Sequence, residues 1–151
     1  MPKKSAGILL YRKKGKSFEV FLVHPGGPYW AKKDAGAWSI PKGEFDDNED
    51  ALTAAKREFE EETGTKISGV FIELTPVKLK SNKTVFAWAV EGDLDPLNIN
   101  SNEFEIEWPP RSGKMRSFPE IDKAAWFNLA DAEIKINSQQ IKMLEEMKSR
   151  L

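Results

Sequence analysis

The sequence contains no cysteine, and this absence excludes disulfide bonds, thiolate nucleophiles and thiolate metal ligands. It contains a single histidine, His24, which stands at the end of a predicted strand and is interpreted as structural rather than catalytic. A bound metal would therefore be held mainly by oxygen ligands, which are the ligands that hard divalent cations prefer.

The sequence also lacks an excess of charge of either sign. It has 23 basic and 24 acidic residues and a net charge of −1, so no global field attracts nucleic acid. No stable nucleic-acid partner is expected. A phosphate ligand must instead be held by a local arrangement of side chains or by a metal.

Long apolar runs are absent as well. The apolar stretch at residues 6–11 is short and ends at Arg12, so neither a signal peptide nor a membrane-spanning helix is predicted. We therefore expect a cytoplasmic protein without membrane association.

The composition is that of a folded chain, with 40% apolar and 11% aromatic residues. Its length of 151 residues is typical of one globular domain, so a single domain over residues 1–151 is predicted. The oligomeric state is left open between a monomer and a homodimer.

Apolar and β-branched runs predict strands along much of the chain. Residues 5–11 and 18–24 form the first two, joined by a polar connection at residues 12–17. A loop over residues 25–37 follows, and then a short strand at residues 38–40. Further strands are predicted at residues 70–74, 77–80, 84–90 and 125–127, and a loop at residues 109–119.

Two helices are predicted. The first runs from Asp47 or Asn48 to Thr63, with Gly64 as its stop, because capping residues precede a stretch without internal glycine or proline. The second begins near Ser138 and runs to the end of the chain. Strands around one central and one terminal helix predict an α/β fold, a mixed sheet sandwiched between helices.

The predicted first helix carries three glutamates on one face. Glu58, Glu61 and Glu62 stand at positions i, i+3 and i+4, which brings them within a sector of roughly 100°. Small residues occupy the same sector in the preceding turns, namely Ala51, Ala54 and Ala55. A solvated acidic surface is the ordinary explanation of such a run. A divalent cation such as Mg²⁺ is the alternative, because it would offset the repulsion among the carboxylates.

The spacing around these glutamates decides between the two explanations. Gly43 is followed after five residues by Glu49, after seven more by Arg57-Glu58-Phe59, and after one more by Glu61-Glu62 and then Gly64. This pattern resembles the Nudix box, and every fixed polar and glycine position is matched. Thr65 departs from it, since an aliphatic residue usually stands there. The resemblance to the Nudix family implies a Nudix-type α/β/α sandwich.

The same resemblance implies roles for residues in and beside the box. Mg²⁺ or Mn²⁺ is expected on Glu58 and Glu62, with Glu61 close behind and the backbone carbonyl of Lys42 as a further ligand. Supporting roles are implied for Glu49 and Arg57, the arginine orienting the glutamates by charge-assisted hydrogen bonds.

The resemblance implies attack of a metal-activated water on a phosphorus atom of a phosphoanhydride. Glu61 is one candidate for the base that takes the proton of this water. Glu120 is the other, because its position six residues before Trp126 resembles the corresponding segment of diadenosine tetraphosphate hydrolases. Competing carboxylates stand at Glu103, Glu105 and Glu107.

Several segments also look like the diadenosine polyphosphate hydrolase branch of the family. Additional phosphates would be bound by a basic loop that carries Arg111, Lys114 and Arg116, whose alternative role is that of a solvated loop. Trp30 and Trp38 are candidates for stacking on a base, with core packing as the alternative for Trp38. Lys42 is a further substrate-binding candidate.

Three functions remain open on this basis. The first is hydrolysis of a nucleoside diphosphate derivative, with a dinucleoside polyphosphate as the preferred substrate. The second is hydrolysis of damaged nucleoside triphosphates or of ADP-ribose, which the box itself cannot distinguish. The third is a non-catalytic module that senses nucleotides, since folds and sites are reused without chemistry.

Overall fold

Two long strands form the centre of the molecule. The structure is a computed structural model that describes residues 3–151. Strand β1 covers Lys4–Lys14 and strand β2 covers Ser17–Pro25, and they pair antiparallel. Successive residues of β1 enter opposite cores, with Leu9 in one and Ile8 in the other. Because side chains alternate across a strand, a continuously apolar strand must be covered on both faces.

The main sheet is mixed. Its principal order is β4-β6-β1-β2-β9, with β3 paired to β1 and β5 paired to β6. The β1–β6 pair is parallel, and the other pairs are antiparallel. The remaining strands are β3 Lys42–Phe45, β4 Ile72–Glu73, β5 Val77–Lys78, β6 Thr84–Glu91, β7 Glu103–Glu107, β8 Met115–Pro119 and β9 Ile121–Asn128.

Helices cover both faces of this sheet. Helix α1, Ala51–Thr63, packs on one face through Ala54, Ala55 and Phe59. The opposite face is covered by α2, Leu129–Lys135, and α3, Ile141–Arg150. The predicted mixed sheet between helices is thus confirmed. No helix among residues 3–151 is long and apolar enough to cross a bilayer.

The ends of α1 follow from local hydrogen bonds. The Asp50 side chain accepts from the backbone N–H of Thr53 at 3.1 Å, which caps the helix N-terminus. At the other end Gly64 adopts a φ of 79°, and its N–H donates to the carbonyl of Glu60 at 2.7 Å. The predicted start at Asp47 or Asn48 was therefore too early, because three other polar residues precede the one that caps the helix.

Other predicted elements differ from the structure. The predicted loop at residues 109–119 is wrong in its second half, because β8 occupies Met115–Pro119 and pairs with β7. The predicted strand at residues 38–40 is reduced to isolated bridges, one of them between Ser39 and Val23. Helix α2 was not predicted. Its seven residues are too few to show a helical repeat of apolar positions.

Strands β7 and β8 form a separate two-stranded ribbon next to the loop of residues 26–37. Gly27 lies against the ring of Phe104 on β7, where an added Cβ would be 2.8 Å from Cζ. The rings of Tyr29 and Trp108 meet edge to face, with centroids 5.4 Å apart. Aromatic contacts therefore attach loop 26–37 to the ribbon.

Candidate active site

The box glycine brings β3 and α1 into close contact. Gly43 lies on β3, and a Cβ added there would be 2.0 Å from Oε2 and 2.1 Å from Cδ of Glu58. No other residue type fits without displacing that carboxylate, so a glycine is required for close approach rather than for backbone conformation. The contact places the Glu58 carboxylate against the Lys42–Gly43 backbone.

Arg57 organises three of the box glutamates. Its Nε and one terminal nitrogen donate to the two carboxylate oxygens of Glu49, both at 2.9 Å. The other terminal nitrogen donates to Glu58 at 2.8 Å and to Glu61 at 3.2 Å. These bonds raise the pKa of Arg57, with Glu49 as the largest contributor, and lower the pKa of Glu49. Arg57 therefore carries a permanent positive charge among the acids.

The innermost acid is Glu62, with 8% of its surface exposed. Burial and the negative charge of Glu58 raise the pKa of Glu62 to about 8, although the Lys42 ammonium and backbone partly offset the rise. The pKa of Glu58 is also raised, chiefly by burial. These raised pKa values mean that ionisation of both carboxyls without a counter-charge is unfavourable in this partly buried site.

A cleft of about 190 Å³ lies beside Glu62. Two other charged residues line it, Glu120 between β8 and β9 and Lys42 at the start of β3. The remaining lining comes from Val23, Pro25, Ser39, Ile40 and Ile121. Burial and the charge of Glu61 raise the pKa of Glu120, so this carboxylate shares the electrostatic field of the helix.

The backbone of Glu120 is held on both sides. Its N–H donates to the carbonyl of Asn102 at 2.8 Å, and its carbonyl accepts from the N–H of Gly26 at 2.8 Å. Residues distant in sequence thus determine where this carboxylate stands relative to α1. Neither contact has a signal in the local sequence.

The residues present suit a hard divalent cation. Their donors are carboxylate and carbonyl oxygens. The pKa values of Glu58 and Glu62 are raised first by burial and then by neighbouring carboxylates, and a cation would offset this penalty on the ionised forms. Among residues 3–151, no three acidic or histidine side chains converge at ligand distances. Arg57 instead holds Glu58 and Glu61 through its own hydrogen bonds.

The predicted base-stacking residues are placed differently. Trp38 is 5% exposed and packs edge to face against Phe127 at 5.0 Å, so it lies in the core and offers no free face to a base. Its Nε1 donates to Asp34 at 2.8 Å. Trp30 is 40% exposed on loop 26–37, and the Lys33 ammonium lies 4.9 Å from its ring centroid.

The predicted basic residues lie on the β7–β8 ribbon and not in the cleft lining. Arg111, Lys114 and Arg116 are all exposed, and the Arg116 guanidinium lies 5.4 Å from the ring centroid of Phe118. Within the described chain, none of the three has an acidic partner within 4.0 Å. They are therefore available to an anionic ligand.

Comparisons with known proteins agree with this fold. The structure resembles the Ap4A hydrolase of C. elegans in a binary complex, with a TM-score of 0.67 and 22% identity over 96% of each chain. It also resembles the NUDIX domain of Shewanella oneidensis NrtR complexed with ADP ribose, with a TM-score of 0.68 and 14% identity over 99% of this chain and 88% of that one. At these identities the likeness establishes the fold.

The fold and the acidic cleft define the class, a hydrolase that acts on pyrophosphate bonds. A family model described as NUDIX domain matches residues 1–147, and the chain belongs to that family. Enzymes of the family bind nucleotide substrates, and they generally use divalent metals such as Mg²⁺. The predicted family membership is therefore confirmed.

Proposed function

We propose that this protein is a Mg²⁺-dependent pyrophosphohydrolase that cleaves a phosphoanhydride bond in a dinucleoside polyphosphate. The observation that carries the proposal is the cleft in which the buried Glu62 and the ammonium of Lys42 meet Glu120. Glu58 and Glu61 stand on the same helix face, next to that cleft. A phosphate chain needs this combination of cation ligands, a positive charge and a proton acceptor.

Mg²⁺, or Mn²⁺ in its place, would be held by the carboxylates of Glu58, Glu61 and Glu62 and by the backbone carbonyl of Lys42. Bound there, the cation supplies charge neutralisation on phosphate oxygens and acidifies water. Arg57 keeps Glu58 and Glu61 oriented, because it contacts both through one terminal nitrogen. The Lys42 ammonium adds a second positive charge for the phosphates.

Glu120 is the proposed proton acceptor for the attacking water. Water forms a bond to phosphorus, the bond from phosphorus to the bridging oxygen breaks, and the proton of the water passes to Glu120. The raised pKa of Glu120 suits this task, since it makes the carboxylate a stronger base. Glu120→Gln should lower kcat by about 10²-fold, as is typical for loss of a general base. Glu103→Gln, on the ribbon, is the matched control and should keep its rate.

Binding of a long phosphate chain is supported by the basic ribbon. In this proposal a diphosphate and its cations would occupy the cleft of about 190 Å³, and the nucleosides would lie outside it. Arg111, Lys114 and Arg116 are free of acidic partners within residues 3–151, and they would contact the phosphates beyond the cleft. A longer polyphosphate makes more of these contacts than a compact substrate does.

The substrate is tested with a panel of dinucleoside polyphosphates, nucleoside triphosphates and ADP-ribose, each with Mg²⁺, with Mn²⁺ and with chelator. We expect metal-dependent cleavage, with the largest kcat/KM for a dinucleoside polyphosphate. No metal-dependent cleavage of any member would contradict the enzyme, and tight binding without turnover would favour a nucleotide sensor. A triphosphate or ADP-ribose preferred by a large factor would overturn the substrate choice.

The role of the ribbon is tested with Arg116→Ala. Its KM for a dinucleoside polyphosphate should rise by about tenfold, which is the loss of one charge-assisted contact. Its KM for ADP-ribose should stay unchanged, because that ligand has no phosphate beyond the cleft. Lys66→Ala, another exposed cation, is the control. Equal effects of Arg116→Ala on both substrates would show that the ribbon does not bind the additional phosphates.

A further inference from the structure

His24, the single histidine of the chain, is completely buried at the end of β2. Its Nδ1 lies 2.8 Å from Oδ1 of Asp122 on β9. Its Nε2 lies 2.6 Å from the backbone carbonyl oxygen of Lys33 in loop 26–37. The ring therefore bridges two segments that are far from each other in sequence.

Both neighbours of the ring are hydrogen-bond acceptors. A carbonyl oxygen only accepts, so Nε2 must carry a proton. An ionised carboxylate also only accepts, so Nδ1 must carry a proton too. Against an ionised carboxylate, a neutral imidazole has only one N–H and satisfies only one of these two contacts. Both short contacts are hydrogen bonds donated by the ring when the ring is an imidazolium and Asp122 is ionised.

The other charged groups near the ring contact other residues. Trp38 packs edge to face on His24 with centroids 5.3 Å apart, and the Lys123 ammonium lies 5.6 Å from the Trp38 ring centroid. Asp34 accepts from Trp38 and pairs with Lys135. Within residues 3–151, Asp122 is the acidic group within 4.0 Å of the ring nitrogens, and its side chain is 32% exposed.

The residues bridged by His24 lie next to the backbone segment that positions Glu120. The register of the β2–β9 pair shifts between His24 and Pro25, which brings Pro25 opposite Ile121. Gly26 then donates its N–H to the carbonyl of Glu120 at 2.8 Å. An added Cβ on Gly26 would be 1.9 Å from the carbonyl oxygen of Pro119, so the two segments are in direct contact.

We propose that His24 is a positioning residue: with a proton on each ring nitrogen it donates at once to Lys33 and Asp122, and so fixes loop 26–37 and Glu120 across the cleft. This inference rests on the proposed function for the role of Glu120. It assigns a task to a residue that otherwise belongs only to the core. Loss of the Asp122 contact frees the start of β9 and moves the Glu120 carboxylate away from α1.

The protonation of the ring is measured directly by NMR on protein labelled with ¹⁵N-histidine, in which one imidazole gives all the signals. In the unmodified protein we expect both ring nitrogens to carry a hydrogen. In Asp122→Asn we expect a single N–H, on Nε2, because the introduced amide can donate to Nδ1. A single N–H in the unmodified protein would overturn the inference.

Positioning is measured with Asp122→Ala against Asp122→Asn. The asparagine variant keeps both contacts to a neutral ring, so its kcat should stay within about threefold, whereas Asp122→Ala should lose about tenfold or more. Exchange of the Gly26 amide hydrogen should accelerate by about tenfold in Asp122→Ala alone. Glu146→Ala, which removes hydrogen bonds to Thr75 far from the cleft, is the stability control.

These readouts separate two kinds of failure. If the unmodified protein cleaves no nucleotide, the proposed function fails, while the ring protons and the Gly26 exchange still decide the structural bridge. If Asp122→Ala keeps its kcat and its slow Gly26 exchange, the positioning role is wrong whatever the substrate. Equal loss of kcat in both Asp122 variants would also contradict it, since the contact between residue 122 and the ring would then not matter.

Discussion

Helices α1 and α3 cover opposite faces of the same sheet and bury different chemistry. Helix α3 places Met143, Leu144 and Met147 against the sheet, each 1% exposed. Helix α1 places Phe59 in its core but also buries Glu62 in the same layer. One helix therefore contributes apolar packing alone, and the other combines packing with buried charge.

The difference between the two helices shows which part of the protein has unfavourable burial. Burial of an apolar side chain is favourable, whereas burial of a carboxylate is unfavourable unless a partner offsets it. Arg57 offsets part of the repulsion on α1 through its bonds to Glu49 and Glu58. The raised pKa of Glu62 shows that a remainder persists. Packing of the helix alone does not require this unfavourable burial of the Glu62 carboxyl.

The largest expected effect comes from Glu62→Gln on α1. Loss of a metal ligand should lower kcat/KM by about 10³-fold, since a bound cation contributes several kcal/mol and 1.36 kcal/mol is a factor of ten. The metal-free protein should become more heat-stable near neutral pH, because a buried glutamine is neutral without taking up a proton on folding. Glu60→Gln on the same helix is the control for both measurements. Equal turnover in the two variants would place the chemistry away from α1.

On α3, Leu144→Ala should have the opposite profile. Deleting this fully buried side chain should lower the free energy of unfolding by about 3 kcal/mol, measured by denaturant titration. The kcat below the unfolding transition should stay within about twofold, because Leu144 is not among the residues that line the cleft. A large fall in kcat would mean that the two faces are coupled and that the contrast between the helices is wrong.

Arg57→Lys should lower kcat by about tenfold, as expected when a residue that orients metal ligands is altered. A lysine keeps the charge but cannot make the two parallel bonds to Glu49. Arg150→Lys on α3 is the matched change, at a residue that contacts Glu146 four positions earlier. Steady-state rates should separate the two. Similar rates would show that charge alone suffices on α1.

The last comparison concerns the pH dependence of stability without metal. Because the pKa of Glu62 is about 8 in the fold and 4.5 ordinarily, its protonated form favours the folded state. This stabilisation is complete below about pH 4.5 and is lost as the pH rises through about 8. Thermal unfolding with chelator should show a Tm that falls over this range. The fall should be smaller in Glu62→Gln and after Mg²⁺ is added.

A parallel slope in the unmodified protein and in Glu62→Gln would contradict the assigned cause. Metal binding should in addition release protons, since the carboxylates must be ionised to act as ligands. That release should be larger at pH 6 than at pH 8.5 and can be measured by calorimetry in buffers of different ionisation enthalpy.

Local patterns predicted the parts of the molecule that depend on local forces. Capping residues and the absence of internal glycine or proline predicted α1 and its stop at Gly64, and the box spacing predicted the family. The structure and the family model confirm these predictions. Its boundary near Asp47 was misplaced because several polar residues compete for the cap position. Strand β8 was missed because its exposed, basic sequence has no apolar alternation, and only pairing with β7 makes it a strand.

The sequence by itself determined that one helix would carry Glu58, Glu61 and Glu62 on a common face, because helical geometry follows from spacing. Tertiary structure alone decided that Glu120 meets Glu62 in one cleft and that His24 lies between Lys33 and Asp122. These contacts depend on strand register, on a register shift at His24 and on loop packing. Such long-range terms leave no periodic trace in the sequence.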